Sequence, residues 1–571
     1  MPNKLGPVVL VVLSGWCALQ IQACSSYAHS CAESYTCAPK PPEAAAGAAD
    51  DGTAGEGGEG GEGGEGGQEP AGDAGAAGAP ETDPRPGIAS DSRSWLIYDA
   101  DDDTPGRAQL YAAKQTPLGL QLPIKISAPL PAAESVTLDF AWSADGQWFL
   151  FGTTQKNDRV PTRWYAVSFA GGAPHAPVVL SDGLPELSYL DWSPTGHELL
   201  LQSNDGNAYW THLSEQDAAA PIRLNSPSQV ISHAIWATSA AVLYGTKDAA
   251  AYRVVLGPDR ASSPIEFRSS DVKGQISPRL TSRDRKWALF VDDVGWLLAQ
   301  VDTGTLARLD DRALDQDQVS VRFSPDSRYL EFAANDKALD QSELYLLDLL
   351  DPGLPRITVA SGQALPTNEL HGGWSANASF MTYFSDTAKG SASLKSVHAF
   401  DLLSKQSVDA HGAMNTTDDA FVAASPDGAY VLYSYRASTT KTRLLGVDRA
   451  GEWIEYDENA AGTPYSDAEF SADGSVALFC TTNSAEQTRD MSFADLRGSS
   501  VRVPGDGSVS DCSGAFAPDS KGFVYFRVAA DGAQTLNWVD TTQQVMGKPR
   551  QINRDGRVRS FRWQPRSRSA N

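Results

Sequence analysis

Trp142-Ser143-Ala144-Asp145-Gly146 runs into the apolar stretch Trp148-Phe149-Leu150-Phe151, and variants of this phrase return along the chain. Clear copies are Trp192-Ser193-Pro194-Thr195-Gly196, Phe323-Ser324-Pro325-Asp326-Ser327, Phe470-Ser471-Ala472-Asp473-Gly474 and Phe516-Ala517-Pro518-Asp519-Ser520. Weaker ones are anchored at Trp236, Leu280, Trp374, Ala424 and Trp563. The phrase has the chemistry of a tight turn: Ser bonds to the backbone, Pro presets the next residue, Asp tolerates the third position, and Gly or Ser permits the exit. Runs such as Leu199-Leu200-Leu201, Tyr430-Val431-Leu432-Tyr433 and Phe523-Val524-Tyr525-Phe526 follow it. They are apolar on both faces, as in a sheet packed between two others.

The anchors fall about 43 to 51 residues apart, the period of one four-stranded propeller blade. The residues between them alternate with period two rather than 3.6, which argues against a solenoid of helix pairs. The fold class is therefore all-β: a single closed β-propeller of about 8–10 four-stranded blades, with ten repeats counted. Trp95–Tyr98 and Gln109–Ala112 read as second and third strands without a first, and Val558–Trp563 as a first strand with nothing after it. Joined, they complete one blade and remove the exposed strand edges that invite aggregation.

The repeated W/F-S-P-D-G phrase with its apolar strand resembles the WD-like repeat of TolB-type propellers over about residues 90 to 565. The resemblance implies a fold more than a function, because the motif residues make turns and packing. The chain departs from TolB in having more repeats than a six-bladed ring, and in carrying a leader and linker where TolB has a small domain.

Lys4 precedes a short apolar stretch, Leu5 to Leu13, the layout of a secretory signal over residues 1–23. Ile21-Gln22-Ala23-Cys24 resembles the lipobox of bacterial lipoproteins, which makes Cys24 the candidate lipid carrier. Ser25 after it resembles an outer-membrane sorting signal. An ordinary cleaved signal near Ala23 is the alternative. Residues 24–88 read as a tether, Gly-, Glu- and Ala-rich with Glu56, Glu59, Glu62 and Glu65 in triplet spacing, too poor in apolar residues to fold. The propeller occupies 89–571.

The 571 residues carry a formal net charge of -25, which argues against nucleic acid as a partner. About ten of those charges belong to the tether. Arg557, Arg559, Arg562, Arg566 and Arg568 form a basic tail, read as a solvated edge and a frayed end rather than an anion site. Asp99, Asp101, Asp102 and Asp103 before Gly106 partly resemble a calcium loop but lack the terminal Glu, so they read as a solvated loop, as do Asp310, Asp311, Asp315 and Asp317. Cys31 and Cys37 sit close together before the linker and are candidates for a disulfide. Cys480 and Cys512 fall at one ring face in adjacent repeats, where either a disulfide or two buried thiols fits an exported protein.

No nucleophile elbow, zinc spacing or phosphate loop occurs in the chain, and no cofactor motif is present. Propeller peptidases carry their catalytic serine in a separate domain, which the reading does not find. The candidate site is the channel. Positions one and three before each anchor alternate away from the core, and they hold Asp139, Tyr189, Asp191, His233, Arg279, Arg322, His371, Asp467, Glu469 and Arg562. Such a lining suits a peptide or sugar, or a set of inter-blade bonds. The expected function is an envelope-anchored, non-enzymatic scaffold for a protein or peptide. The rivals are a carbohydrate-binding surface protein and a propeller lyase or hydrolase using His233, Arg279, His371 and Arg322.

Overall fold

The computed structural model describes residues 94–564, apart from internal stretches of which the longest are 310–320, 361–372 and 503–513. The leader, Cys24, the tether, Cys31, Cys37, His371, Cys512 and the acidic residues between 310 and 317 lie outside the described residues. So do the side chains of Asp139, Asp467 and Cys480.

Among the described residues there is no α-helix, and the strands form ten antiparallel sheets. Nine of them follow one another along the chain, spanning 134–179, 187–223, 231–267, 277–308, 321–360, 380–415, 420–459, 466–502 and 514–551. The remaining one, called the first sheet below, joins Trp95–Ala100 and Gln109–Thr116 to Val558–Trp563 from the other end of the chain. Leu96 pairs with Trp563, Ile97 with Arg562 and Tyr98 with Phe561. This is the pairing the half-units at the two ends predicted. At Trp374 the inner strand shrinks to an isolated bridge to Met381, and the seventh sheet keeps three strands.

The core is partitioned between sheets. Leu199 and Leu201 pack against the sheet before theirs, while Leu200, pointing the other way, packs against the sheet after it. Phe149 and Phe151 are likewise separated from Trp148 and Leu150. This explains runs apolar on both faces: period-two alternation feeds two cores, and each fully buried side chain contributes about 1.5–3 kcal/mol. Among the described residues ten such clusters occur, each shared by two successive sheets, the tenth joining Val524 and Leu536 to Leu96 and Tyr98. Stacked antiparallel sheets with these shared cores are the arrangement of β-propeller blades.

The recurring phrase makes the turn between first and second strands. Ser143 Oγ accepts the N–H of Trp148 at 2.9 Å and donates to Asp145 Oδ1 at 2.6 Å, while that oxygen also accepts the N–H of Gln147. Ser324, Ser425 and Ser471 repeat this pattern. The residue three after the serine has positive φ, whether Gly146, Gly196, Gly428 or Gly474, or Ser327. Anchor indoles serve the neighbouring sheet: Trp192 Nε1 donates to the carbonyl of Ala141, Trp236 Nε1 to that of Asp191 and Trp563 Nε1 to that of Ala515.

Candidate functional site

The first strands of the sheets, which hold the proposed lining, are not regular. Register shifts interrupt them between Val136 and Phe140, Ile231 and His233, Pro278 and Leu280, Phe421 and Ala423, and Ser466 and Glu469. A bulge inserts an unpaired residue and re-aims side chains. Arg279 is such a residue, exposed beside buried Pro278.

Several of the predicted lining residues are committed to bracing. Arg322 makes two bonds to its cross-strand partner Glu331, Nε to Oε2 at 2.6 Å and Nη2 to Oε1 at 2.9 Å. Glu331 is buried and also accepts Trp374 Nε1 at 2.6 Å from the next sheet. The Arg322 guanidinium is thus turned to a structural carboxylate rather than joining His233 and Arg279 in a convergent set. Arg562 Nη1 donates to the carbonyl of Phe561. Glu469 accepts the N–H of Phe516 in the following inner strand. Part of the Glu469 side chain still meets solvent, yet surrounding atoms enclose the carboxyl, and this desolvation pushes its pKa up to about 8.

On the inner strands of the third, fourth and fifth sheets, polar groups come together. Tyr189 and His233 meet edge to face with centroids 4.8 Å apart. The Tyr189 hydroxyl bonds to Asp191; burial first, then that carboxylate, raise its pKa well above the usual phenol value. His233 is held by its backbone neighbours. Buried Gln202 donates through Nε2 to the Ser232 carbonyl at 3.3 Å and accepts the Ala234 N–H at 3.2 Å, clamping the peptide on both sides of the histidine. Ser232 Oγ in turn donates to the carbonyl of Ile276, just before the strand that carries Arg279. Arg285, in the turn after that strand, donates to the Trp236 carbonyl and to Thr281 Oγ1. Burial lowers its pKa while Asp191 raises it.

Arg279 differs from these. Burial lowers its pKa and no carboxylate offsets that, and it has no hydrogen-bond or ion-pair partner among the described residues. It stays cationic, since guanidinium titrates far above neutrality. It lies on the inner strand next to the one that carries His233, and an exposed cation there can attract an anion.

A second constellation escaped the sequence reading. Ser385 Oγ lies 2.6 Å from His398 Nε2, and His398 Nδ1 lies 2.7 Å from Asp409 Oδ1. The order is that of a nucleophilic triad, but Ser385 is 2 % exposed and His398 7 %. The three residues tie neighbouring strands of the seventh sheet, and Tyr383 stacks on the imidazole at 4.8 Å. A buried hydroxyl with no approach for substrate is a brace. Sequence could not single it out, because its members look like ordinary strand residues.

An open cleft of about 600 Å³ lies between turns of the seventh and eighth sheets, beside Asn377, Asp401, Tyr430 and Arg449. Its guanidinium is bonded to Asp401, which that arginine holds below the usual carboxylate range. Around the first sheet the acidic run is equally spoken for. Asp99 binds Arg559 at 2.6 Å, Asp101 accepts the Gly106 N–H at 2.8 Å, and Asp103 pairs with Lys125 at 3.0 Å. Asp99 is therefore no solvated loop residue, and Arg559 is no frayed one.

No protein-family model and no curated protein matches the chain. Among solved structures it is similar to a eukaryotic initiation factor, at 10% identity over 83% of this chain and 99% of that one, with a TM-score of 0.48. It is also similar to TolB from Acinetobacter baumannii, at 15% identity over 64% and 82%, TM-score 0.26. A third is Sqt1 from Chaetomium thermophilum bound to the N-terminus of ribosomal protein L10, at 14% identity over 68% and 93%, TM-score 0.35.

Proposed function

We propose that the chain is an envelope-anchored, non-enzymatic β-propeller whose ten sheets form one closed ring and whose inner strands bind a peptide or protein partner. The observation that carries the binding role is Arg279, exposed at a bulge of an inner strand and without a hydrogen-bond or ion-pair partner among the described residues. Ring closure is supported by the shared core between the last sheet and the first, and by the strand pairing of Trp95–Ala100 with Val558–Trp563. Anchoring rests on the short apolar leader and the lipobox-like residues before Cys24.

What two of the candidate groups do supports a non-enzymatic role. Arg322 is spent on Glu331, and Ser385 is shut away from substrate, so neither supplies a transition-state contact. Affinity capture from envelope extract with the full chain, compared with its Arg279→Gln variant, tests this reading: a specific partner lost with the variant is the expected result. Turnover of a glycan or peptide that the same variant abolishes without loss of stability would overturn it.

A further inference from the structure

We infer that the gap between the outermost strands of the seventh and eighth sheets is a docking groove for an extended, positively charged peptide, which sets a large apolar residue between Val408 and Trp453 and a lysine or arginine beside Asp448 and Glu452. The groove is separate from the inner-strand site and does not depend on it.

The strands set the kind of molecule. Among the described residues the outermost strands of the other sheets are only two to five residues long, the usual protection of an exposed edge. The seventh sheet ends instead on Gln406–Asn415 and the eighth on Trp453–Asn459. Register shifts past Asp409 and past Glu455 blunt the far part of each. Gln406–Asp409 and Trp453–Glu455 stay regular, and each presents one edge without a strand partner among the described residues. An extended chain can add to such an edge.

The register places the apolar walls. Val408 pairs with Ala399 and Trp453 with Val447, and both partners belong to the core that these two sheets share. Directly paired residues lie on the same face, so Val408 and Trp453 both face the gap, where they are 41 % and 45 % exposed. A Cβ on Gly451 would stand 3.0 Å from Val408 Cγ1, so the turn leading to Trp453 closes against the opposite wall. Leu403, 83 % exposed in the turn that follows Asp401, extends the apolar surface.

The turn sets the sign of the charge. Asp448, Arg449 and Ala450 also line the open cleft of about 600 Å³, so groove and cleft share this turn. Its arginine, Arg449, is bonded to Asp401, and Arg443 is paired with Glu455 at 3.2 Å. Lys405 acts on Asp348 of the sixth sheet. Asp448 and Glu452 are left without a cationic partner among the described residues. A cation on the peptide complements them, while an anionic segment or lipid surface is repelled. The turn is also prearranged: Asp448 Oδ1 accepts the N–H groups of Ala450 and Glu452, both at 2.9 Å. Little ordering remains to be done on binding.

The test titrates the full chain with a fluorescent nonapeptide in which a central leucine stands between lysines in a glycine–serine background, and with versions that carry glutamates for the lysines or alanine for the leucine. The leucine–lysine peptide should bind about tenfold more tightly than either of the others. Trp453→Ala should weaken it about tenfold, Trp453→Phe much less, and Glu452→Lys about fivefold. Glu452 is exposed and outside the core, so Glu452→Lys should keep the wild-type melting temperature and still report on the groove if Trp453→Ala destabilises the sheet. Equal binding of the three peptides, binding that neither Trp453→Ala nor Glu452→Lys weakens, or no binding at millimolar concentration would each overturn the inference. A dimer in sedimentation equilibrium that Trp453→Ala disperses would overturn the peptide by assigning the surface to a second copy. Flotation with phosphatidylcholine vesicles that Trp453→Ala abolishes and Cys24→Ser does not would overturn it in favour of a membrane.

Discussion

A Cβ on Gly196 would stand 2.4 Å from Oδ1 of Asp145, so the turn glycine of one sheet is fitted against the turn aspartate of the sheet before it. The relationship recurs. A Cβ on Gly428 would meet Asn377 at 2.4 Å, and Ser327 Oγ accepts the N–H of Asp284 at 2.9 Å. The phrase that shapes each hairpin thus also sets how successive hairpins pack. Gly196→Ala should lose about 2–5 kcal/mol, combining the strain of a positive φ with the clash. Gly183 also has positive φ but has nothing within 4 Å, and its alanine variant should lose only about 1 kcal/mol. Denaturant unfolding of both measures the difference; equal losses would mean that Asp145 moves aside at no cost.

The hairpins and the closing pair were legible because they depend on local turn chemistry and period-two patterning. The lining was less so. Leu280 is the larger apolar residue there and stands out as an anchor, but Ser282 makes the turn bonds to Asp284 and Trp287, which puts Thr281 in the anchor position. Arg279 then reaches solvent through a bulge rather than by simple alternation. Bulges move a side chain to the other face without a mark that a single sequence reveals. Arg559 was misread for another reason: its partner Asp99 is 460 residues away, beyond any local pattern.

Asp99 and Arg559 fasten the closing strand. Asp99 is fully buried and accepts bonds from Arg559 and from both the N–H and hydroxyl of Ser560, while Arg559 Nη2 reaches the Val136 carbonyl in the second sheet. Asp99→Ala removes several charge-assisted bonds at once, and a loss of about 2–4 kcal/mol is expected. Hydrogen exchange should speed up first in 95–100 and 558–563. Uniform acceleration over all sheets would contradict a local fastening.

Cys24 is the predicted lipid carrier, and it follows Ile21-Gln22-Ala23 after a short apolar leader. Cys24→Ser should therefore abolish metabolic labelling by palmitate and move the protein from the membrane to the soluble fraction. Retained label and retained membrane association would defeat the lipoprotein assignment and leave an ordinary exported chain.

The Ser385–His398–Asp409 brace makes two linked predictions. A fluorophosphonate probe should leave Ser385 unlabelled in the native chain, because the hydroxyl is buried. Burial, partly opposed by Asp409, lowers the His398 pKa. A folded-state pKa below the unfolded one means that the unfolded chain gains the proton first, so this histidine costs stability as pH falls through about 6.5. His398→Gln should remove that acid-side loss, at the expense of about 1 kcal/mol of hydrogen bonding at neutral pH. A labelled Ser385 would reopen the hydrolase reading.

Glu469 acts in the opposite direction. Enclosure by the surrounding protein raises its pKa from 4.5 to about 8, and the N–H of Phe516 only partly offsets this. Below 4.5 the carboxyl is protonated in folded and unfolded chains alike, and stability does not depend on it. Between 4.5 and 8 the unfolded chain has released the proton and the folded one still holds it, so stability falls as pH rises, by at most about 1.4 kcal/mol per pH unit. Above 8 both states are ionised and the slope vanishes. Glu469→Gln keeps an oxygen for the Phe516 N–H and cannot ionise. Its melting temperature should therefore match the wild type near pH 5 and exceed it at pH 8. Parallel curves for the two proteins across that range would show that the carboxyl is solvated in the folded chain, and that the inner rim beside Phe516 is open to water.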